Sequence, residues 1–309
     1  MSAIVRGVDR ALLAAGEASR LVEVRTLVAL VIGLRLATRD WTLVADRPAV
    51  LTSNLTVMSW LPAPLPASVL VALQVAGLAA VALVVAGRAP RAGFVVAWSA
   101  YLVLTALWGS SGKVMHNDVL TVLVGLVLVL GPVPPRRGTG RVPDDARWGW
   151  PPRAALAVIA VVYLFCGVQK LRVSGISWVT SDNMRWVMLQ GTSPFGDGFT
   201  HAVANLPLLP SLLAAGALLL ELSAPVWLAV RVARIPFAVS VAVMHTSIWA
   251  FLGLDYSAWV LTVAAVAVPL GLPRGLRLLD VRARHVPTIL GISHPARRTG
   301  TPAPTTVGV

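Results

Sequence analysis

Lysine is almost missing from this chain: only Lys113 and Lys170 stand among its 26 Lys and Arg residues. Charge of any kind is scarce, at 13% of residues against 57% apolar, which excludes an ordinary soluble domain and fits a polytopic membrane protein. The one cysteine, Cys166, lies inside an apolar run, so the chain offers neither a disulfide framework nor a thiolate metal site. No stretch of alternating polarity marks a membrane β-barrel, and no internal repeat marks an inverted-repeat transporter. The N-terminus lacks the short apolar core and small-residue cleavage site of a signal peptide, so the first segment is expected to stay attached. Acidic residues are few, and the net charge is +13. That excess does not imply a nucleic-acid partner, because the arginines sit in short loops between apolar runs, the pattern that sets membrane orientation.

What the chain has instead is apolar runs of membrane-spanning length. They fall at about 24–40, 67–87, 92–109, 115–134, 152–171, 209–230, 235–253 and 257–272. The fold class they predict is all-α: a polytopic integral membrane helical bundle of about eight transmembrane helices plus an N-terminal interfacial helix. Residues 1–23 read as the amphipathic interfacial helix, 24–272 as the transmembrane domain, and 273–309 as a basic tail expected to be disordered from about 288 on. Assigning alternate loops to alternate sides puts 19 of the 26 basic residues on one face, so both termini are expected in the cytoplasm and the protein in the cell membrane. Two long segments then face outward, 41–66 with Trp60 and LPAPLP, and 172–208. In the latter, WVTSDNMRWVMLQ would place Trp178, Met184, Trp186 and Val187 on one face of a short helix lying on the membrane as a cover.

Ionisable residues inside spans are costly and point to function, although each can instead be an interhelical hydrogen bond. Glu221 and His245 fall near mid-membrane, where they could pair. Arg35, the His116-Asn117-Asp118 cluster and Lys170 fall toward the outer side. Lys170 reads in two ways. Its stem can stay in lipid while its ammonium snorkels to the headgroups. Alternatively, a lysine kept in an arginine-dominated chain is kept because, unlike arginine, it can give up its proton and act as a base.

Tyr163-x-x-Cys166-Gly167-x-x-Lys170-Leu171, followed by Trp178, resembles the signature of the HTTM (horizontally transferred transmembrane) domain, the membrane domain shared with vitamin K-dependent γ-carboxylases. Trp108 with HNDVL at 116–120 and the later Gly131-Pro132 resemble a second stretch of that family. LLLELSAPVWLAV at 218–230, Arg231–Arg234, and VMHTSIW at 243–249 with Phe251 resemble a third, and together these cover most of residues 24–270 in order. The resemblance implies a γ-carboxylase-like enzyme that uses a reduced quinone of the vitamin K or menaquinol type. In it Lys170 would be the catalytic base, assisted by His116 or Asn117. Arg35, Trp108, Lys113 and Asp118 are the expected substrate-binding residues toward the outer side. Tyr163, Trp178, Glu221 and His245 complete that set, and no metal is expected. The extra-membrane domain with which animal carboxylases recognise protein substrates is expected to be absent, and Gln169 stands where they have a second lysine, so protein carboxylation is not among the expectations. The expected partners are membrane lipids and a lipid-soluble quinol. The competing reading is a non-enzymatic membrane scaffold or assembly partner whose polar residues are interhelical glue.

Overall fold

The computed structural model describes residues 7, 12–48, 58, 61, 65–111, 113–114, 116–134 and 142–279, and eleven α-helices are laid out among them. They are α1 (Ala18–Thr38), α2 (Ala67–Val85), α3 (Ala92–Gly109), α4 (Val119–Leu130), α5 (Ala146–Ser174), α6 (Ser177–Thr180), α7 (Asn183–Leu189), α8 (Asp197–Ala204), α9 (Leu209–Ala229), α10 (Arg234–Leu252) and α11 (Ser257–Gly271). Apart from Ser110–Ser111 pairing antiparallel with Lys113–Val114, the described residues are all-helical in architecture. Five segments are long and apolar enough to cross a membrane: Ala67–Val85, Ala92–Gly109, Ala146–Ser174, Leu209–Ala229 and Arg231–Leu252. Val119–Leu130 and Ser257–Gly271 are apolar but shorter. Residues 1–6, 8–11 and 280–309 lie outside the described residues, and with them part of the expected interfacial helix and most of the tail; Trp60 is also outside.

Several boundaries follow from local chemistry. The side chain of Asp145 accepts from the Arg147 amide at the start of α5, and Gly175, at φ +56, closes the helix after Ser174. This helix is therefore longer at both ends than the apolar run 152–171, and it carries Pro151 and Pro152 inside its N-terminal part, where few amide donors are lost. The fourth apolar run is helical only over Val119–Leu130, about 18 Å at 1.5 Å per residue, because His116–Asp118 and the residues around Pro132 are not helical. The first helix begins at Ala18, ahead of the apolar run at 24, and residues 18–23 thus belong to the bundle.

Helix α1 runs through the middle of the fold, packed against α2, α3, α4, α5 and α11. Its ionisable side chains are buried, and each has a partner. Arg20 reaches Glu23 at 2.6 Å, and Glu23 in turn accepts from the Leu278 amide at 2.6 Å. The Arg25 Nη2 donates to the carbonyls of Leu128, Gly131 and Pro132 at 3.0–3.2 Å, which satisfies the last carbonyls of α4 and places positive charge at its negative end. Close approach depends on small residues in places: a Cβ on Gly93 would lie 2.8 Å from the Ala80 carbonyl oxygen, so α2 and α3 touch backbone to side.

The segment 172–208 forms α6, α7 and α8, which pack on one another and on α9. The single helix expected across WVTSDNMRWVMLQ is broken at Ser181, whose extended backbone (φ −100°, ψ 173°) ends α6. Within α7, Met184, Val187 and Met188 face inward while Trp186 is 55% exposed beneath the Arg185 guanidinium. At 100° per residue those three positions share a face and position 186 lies opposite, so Trp186 does not belong to the expected apolar face.

Candidate functional site

A cavity of about 1230 Å³ opens among α5, α9, α10 and α7, closed at one side by His116, Tyr256 and Trp259. Its wall is mostly apolar, with Phe165, Leu220, Trp227, Met244 and Ile248 among the lining side chains. Leu212 and Leu219 of α9 and Val239 and Val243 of α10 line it too, yet each is more than half exposed, so the cavity is open on the side between these two helices. Gly216, between Leu212 and Leu219 in sequence, has open space where a Cβ would stand.

The polar groups of this wall come from four helix segments. On α5, Gly167 and Lys170 are three residues apart and share a face. A Cβ at Gly167 would come within 2.9 Å of Leu222 and 3.2 Å of the Glu221 Cβ, so the glycine lets α9 approach closely. Through that contact the Lys170 Nζ donates to the Glu221 Oε1 in a salt bridge, and the ammonium sits 5.3 Å from the centre of the Trp178 ring. Glu221 is buried, and its second oxygen, Oε2, has no hydrogen-bond partner among the described residues.

His245 of α10 projects into the same cavity. Its Nε2 lies 3.0 Å from the hydroxyl of Tyr163, one of the largest fully buried side chains, and its Nδ1 has no partner among the described residues. On its open face the ring centre of Tyr256 is 4.9 Å away, and the Tyr256 hydroxyl lies 3.0 Å from the His116 Nε2. His245, Tyr256 and His116 thus run along one side of the cavity, while Tyr163, expected at the pocket, is buried behind His245 and outside the lining, and Trp259 packs edge-on against all four rings. Which nitrogen of each histidine carries the proton sets the direction of these hydrogen bonds.

Glu221 therefore meets Lys170 rather than His245, and the depth separation expected between the Lys170 group and the mid-membrane pair is absent. The reason is an offset of the helices. Helix α5 continues four residues beyond Lys170, whereas α9 starts twelve residues before Glu221 and also packs against α6, α7 and α8. The lysine stem spans the remaining difference.

Of the two candidates for an assisting group, His116 lines the cavity and Asn117 does not: the Asn117 amide donates to the Asp255 carbonyl at 2.7 Å. Arg35, Trp108 and Asp118, expected at the pocket, lie outside it. The Asp118 carboxylate accepts from Arg35 Nε at 3.2 Å, Arg39 Nη1 at 2.7 Å and the Tyr101 hydroxyl at 2.7 Å. Arg35 also reaches Asp255 at 2.7 Å and Ser257 at 3.0 Å, tying α1 to the start of α11. Trp108 packs edge-on to Trp41, with the Arg39 guanidinium 4.8 Å from its ring centre. Burial alone would raise the Asp255 carboxyl, but the Ser257 hydroxyl and amide and the Arg35 guanidinium outweigh it and hold the group at about 2. The Lys113 side chain lies outside what the structure describes.

Tyr256, which no sequence motif marks, lines the cavity, as does Cys166 of the Tyr163–Lys170 motif. For Tyr256 a signal existed: the chain has only three tyrosines, and each holds an ionisable partner, Tyr101 with Asp118, Tyr163 with His245 and Tyr256 with His116. Among the described residues no three His, Cys, Asp or Glu side chains gather to hold a metal ion. Comparison with family models, with curated proteins and with solved structures found no match to this chain.

Proposed function

We infer that this chain is an integral protein of the cell membrane, with eight spans, an N-terminal interfacial helix and both termini in the cytoplasm, and that it is a quinol-dependent enzyme of the HTTM type. Support for membrane insertion comes from the five long apolar helices and from the arginine-rich loops. The observation that carries the enzymatic reading is the apolar cavity with the Lys170–Glu221 pair in its wall. Its size and apolar lining suit a ring with a prenyl tail, and the unpartnered Glu221 Oε2 and His245 Nδ1 are buried polar atoms that a hydroxyl-bearing ligand would satisfy. A reduced quinone, when bound, would supply acidic hydroxyls and reducing electrons.

Chemically, the pair carries one proton, whether it sits on the amine or the carboxylate. With that proton on Glu221, the Lys170 amine can take a second from a hydroxyl presented in the cavity, and the ammonium so formed faces the oxygen that gave it up, a role arginine cannot fill. His116, hydrogen-bonded to Tyr256, would orient the far end of the ring. The test is oxidation of reduced menaquinone under oxygen by the detergent-solubilised protein. The Lys170→Ala and Lys170→Arg variants should lose about 10²–10⁴-fold of the rate, as expected for removal of a general base. Equal rates would eliminate the base assignment.

A scaffold reading is favoured by a specific observation as well: Lys170–Glu221 joins α5 to α9 and Tyr163–His245 joins α5 to α10, as interhelical glue would. Under it, Lys170→Arg keeps both the pair and the phenotype.

A further inference from the structure

At the opposite end of the bundle a second, smaller cavity of about 190 Å³ is walled by five arginines from four segments. Arg20 comes from α1, Arg153 from α5, Arg231 and Arg234 from the turn joining α9 to α10, and Arg274 from the chain just after α11. Only two carboxylates share the wall, Glu17 and Asp144, and a third just outside it, Glu23, pairs with Arg20 at 2.6 Å, which leaves an excess of two positive charges. Glu17 is already engaged by Arg277 at 3.3 Å.

Four of these arginines are held in place by main-chain carbonyls. Arg20 donates to Leu276 at 2.9 Å, Arg231 to Leu272 at 2.6 Å, and Arg234 to Leu228 at 2.9 Å and Leu270 at 2.8 Å. Arg153 donates to Ala14 and Ala15. A guanidinium has five donors, so each retains N–H groups after these bonds unless all are used, and the bonds fix where the remaining ones lie. Arg274 makes no hydrogen bond or ion pair among the described residues. Trp148, only 3% exposed, belongs to the same wall, and its indole N–H is buried without a partner among the described residues. A buried donor left unpaired beside like charges that repel one another is a site that lacks its acceptor.

We propose that this cavity binds a phosphate-bearing anion, the headgroup of an anionic phospholipid or a soluble phosphate ester. Planar guanidinium forks from several directions match the oxygens of one phosphate, each with paired N–H···O contacts. The volume equals roughly six waters at about 30 Å³ each, which accommodates a phosphate with a glycerol-sized group attached. Basic pockets between helices on the cytoplasmic side of membrane bundles take such headgroups. The lipid source rests on the membrane reading, and neither source depends on the quinol chemistry.

The full chain in neutral detergent is titrated with phosphatidylglycerol, phosphatidylcholine and glycerol 3-phosphate, and bound species are counted by native mass spectrometry. Phosphatidylglycerol should bind saturably and phosphatidylcholine should not. Arg274→Gln, which removes no hydrogen bond, and Arg231→Gln should each weaken binding about fivefold. Arg88→Gln, an exposed arginine at the same end and outside the cavity, should change it less than about twofold. Glycerol 3-phosphate binding as tightly as the lipid would identify a soluble phosphate as the source. Absence of saturable binding by either probe, or equal weakening by Arg88→Gln, would overturn the proposal.

Discussion

Replacing Asp118 with alanine should lower the unfolding temperature sharply while leaving the large cavity's own residues in place. The carboxylate is 9% exposed and accepts three donors, from Arg35, Arg39 and Tyr101. Without it, Arg35 keeps Asp255 and Ser257, but Arg39 keeps only its contacts with the faces of Trp41 and Trp108, 5.0 and 4.8 Å away. Removing one partner of a buried charge cluster costs about 3–5 kcal/mol, because the remaining charge is left uncompensated. The buried Tyr101 hydroxyl loses its acceptor as well, which adds about 1 kcal/mol or more. At roughly 2–4 °C per kcal/mol, the midpoint should fall by at least about 6 °C. The 11 tryptophans make intrinsic fluorescence in detergent a direct readout. Asp118→Asn, which keeps the volume and an acceptor for Tyr101, should lose less than Asp118→Ala. A midpoint within about 1 °C of the parent would refute the network as a structural element.

The Lys170–Glu221 contact is open to a double-mutant cycle: Lys170→Met and Glu221→Gln, singly and together, should return a coupling of about 1–3 kcal/mol in unfolding free energy, and a value near zero would mean the side chains do not interact. Asp255 gives a pH signature. Its carboxyl is held at about 2 in the fold against an ordinary 3.8, so the stability it contributes is complete above 3.8 and is lost as pH falls through about 2. Asp255→Asn should flatten that acid limb in a pH series of unfolding midpoints, and an unchanged limb would contradict the Arg35 contact. Gly253 ends α10 at φ +68, and a Cβ there would lie 2.2 Å from the Thr192 carbonyl oxygen. Gly253→Ala should therefore destabilise by about 1–3 kcal/mol in denaturant unfolding, and a neutral result would place that turn elsewhere.

Helix positions were legible where charge or proline brackets an apolar run, as at Ala67–Val85 after LPAPLP and Ala92–Gly109 after Arg88 and Arg91. They were less legible where capping chemistry extends a helix past its apolar stretch, as Asp145 does for α5. The candidate site was legible as a set of residue types and not as a set of contacts. Lys170, Glu221, His245 and His116 stand out because ionisable residues are rare in this chain. Whether Glu221 meets His245 or Lys170 depends on how far α9 slides along α5, which is decided by helix packing around Gly167 rather than by the distance of either residue from a loop. The same holds for Asp118: two residues from His116 in sequence, it points into a different set of helices because of where α4 begins.

The cavity's open side has a kinetic consequence. Leu212, Leu219, Val239 and Val243 leave a gap between α9 and α10 that faces outward along the flank of the bundle. Under the proposed function, a ligand using that gap dissolves in the surrounding hydrocarbon before it meets the protein. Its effective concentration is then a mole fraction in lipid, enriched by partitioning over its bulk molarity. An apparent KM measured in detergent should accordingly rise in proportion to the amount of detergent added at fixed total ligand, through surface dilution alone, whereas a ligand arriving from water would show no such dependence.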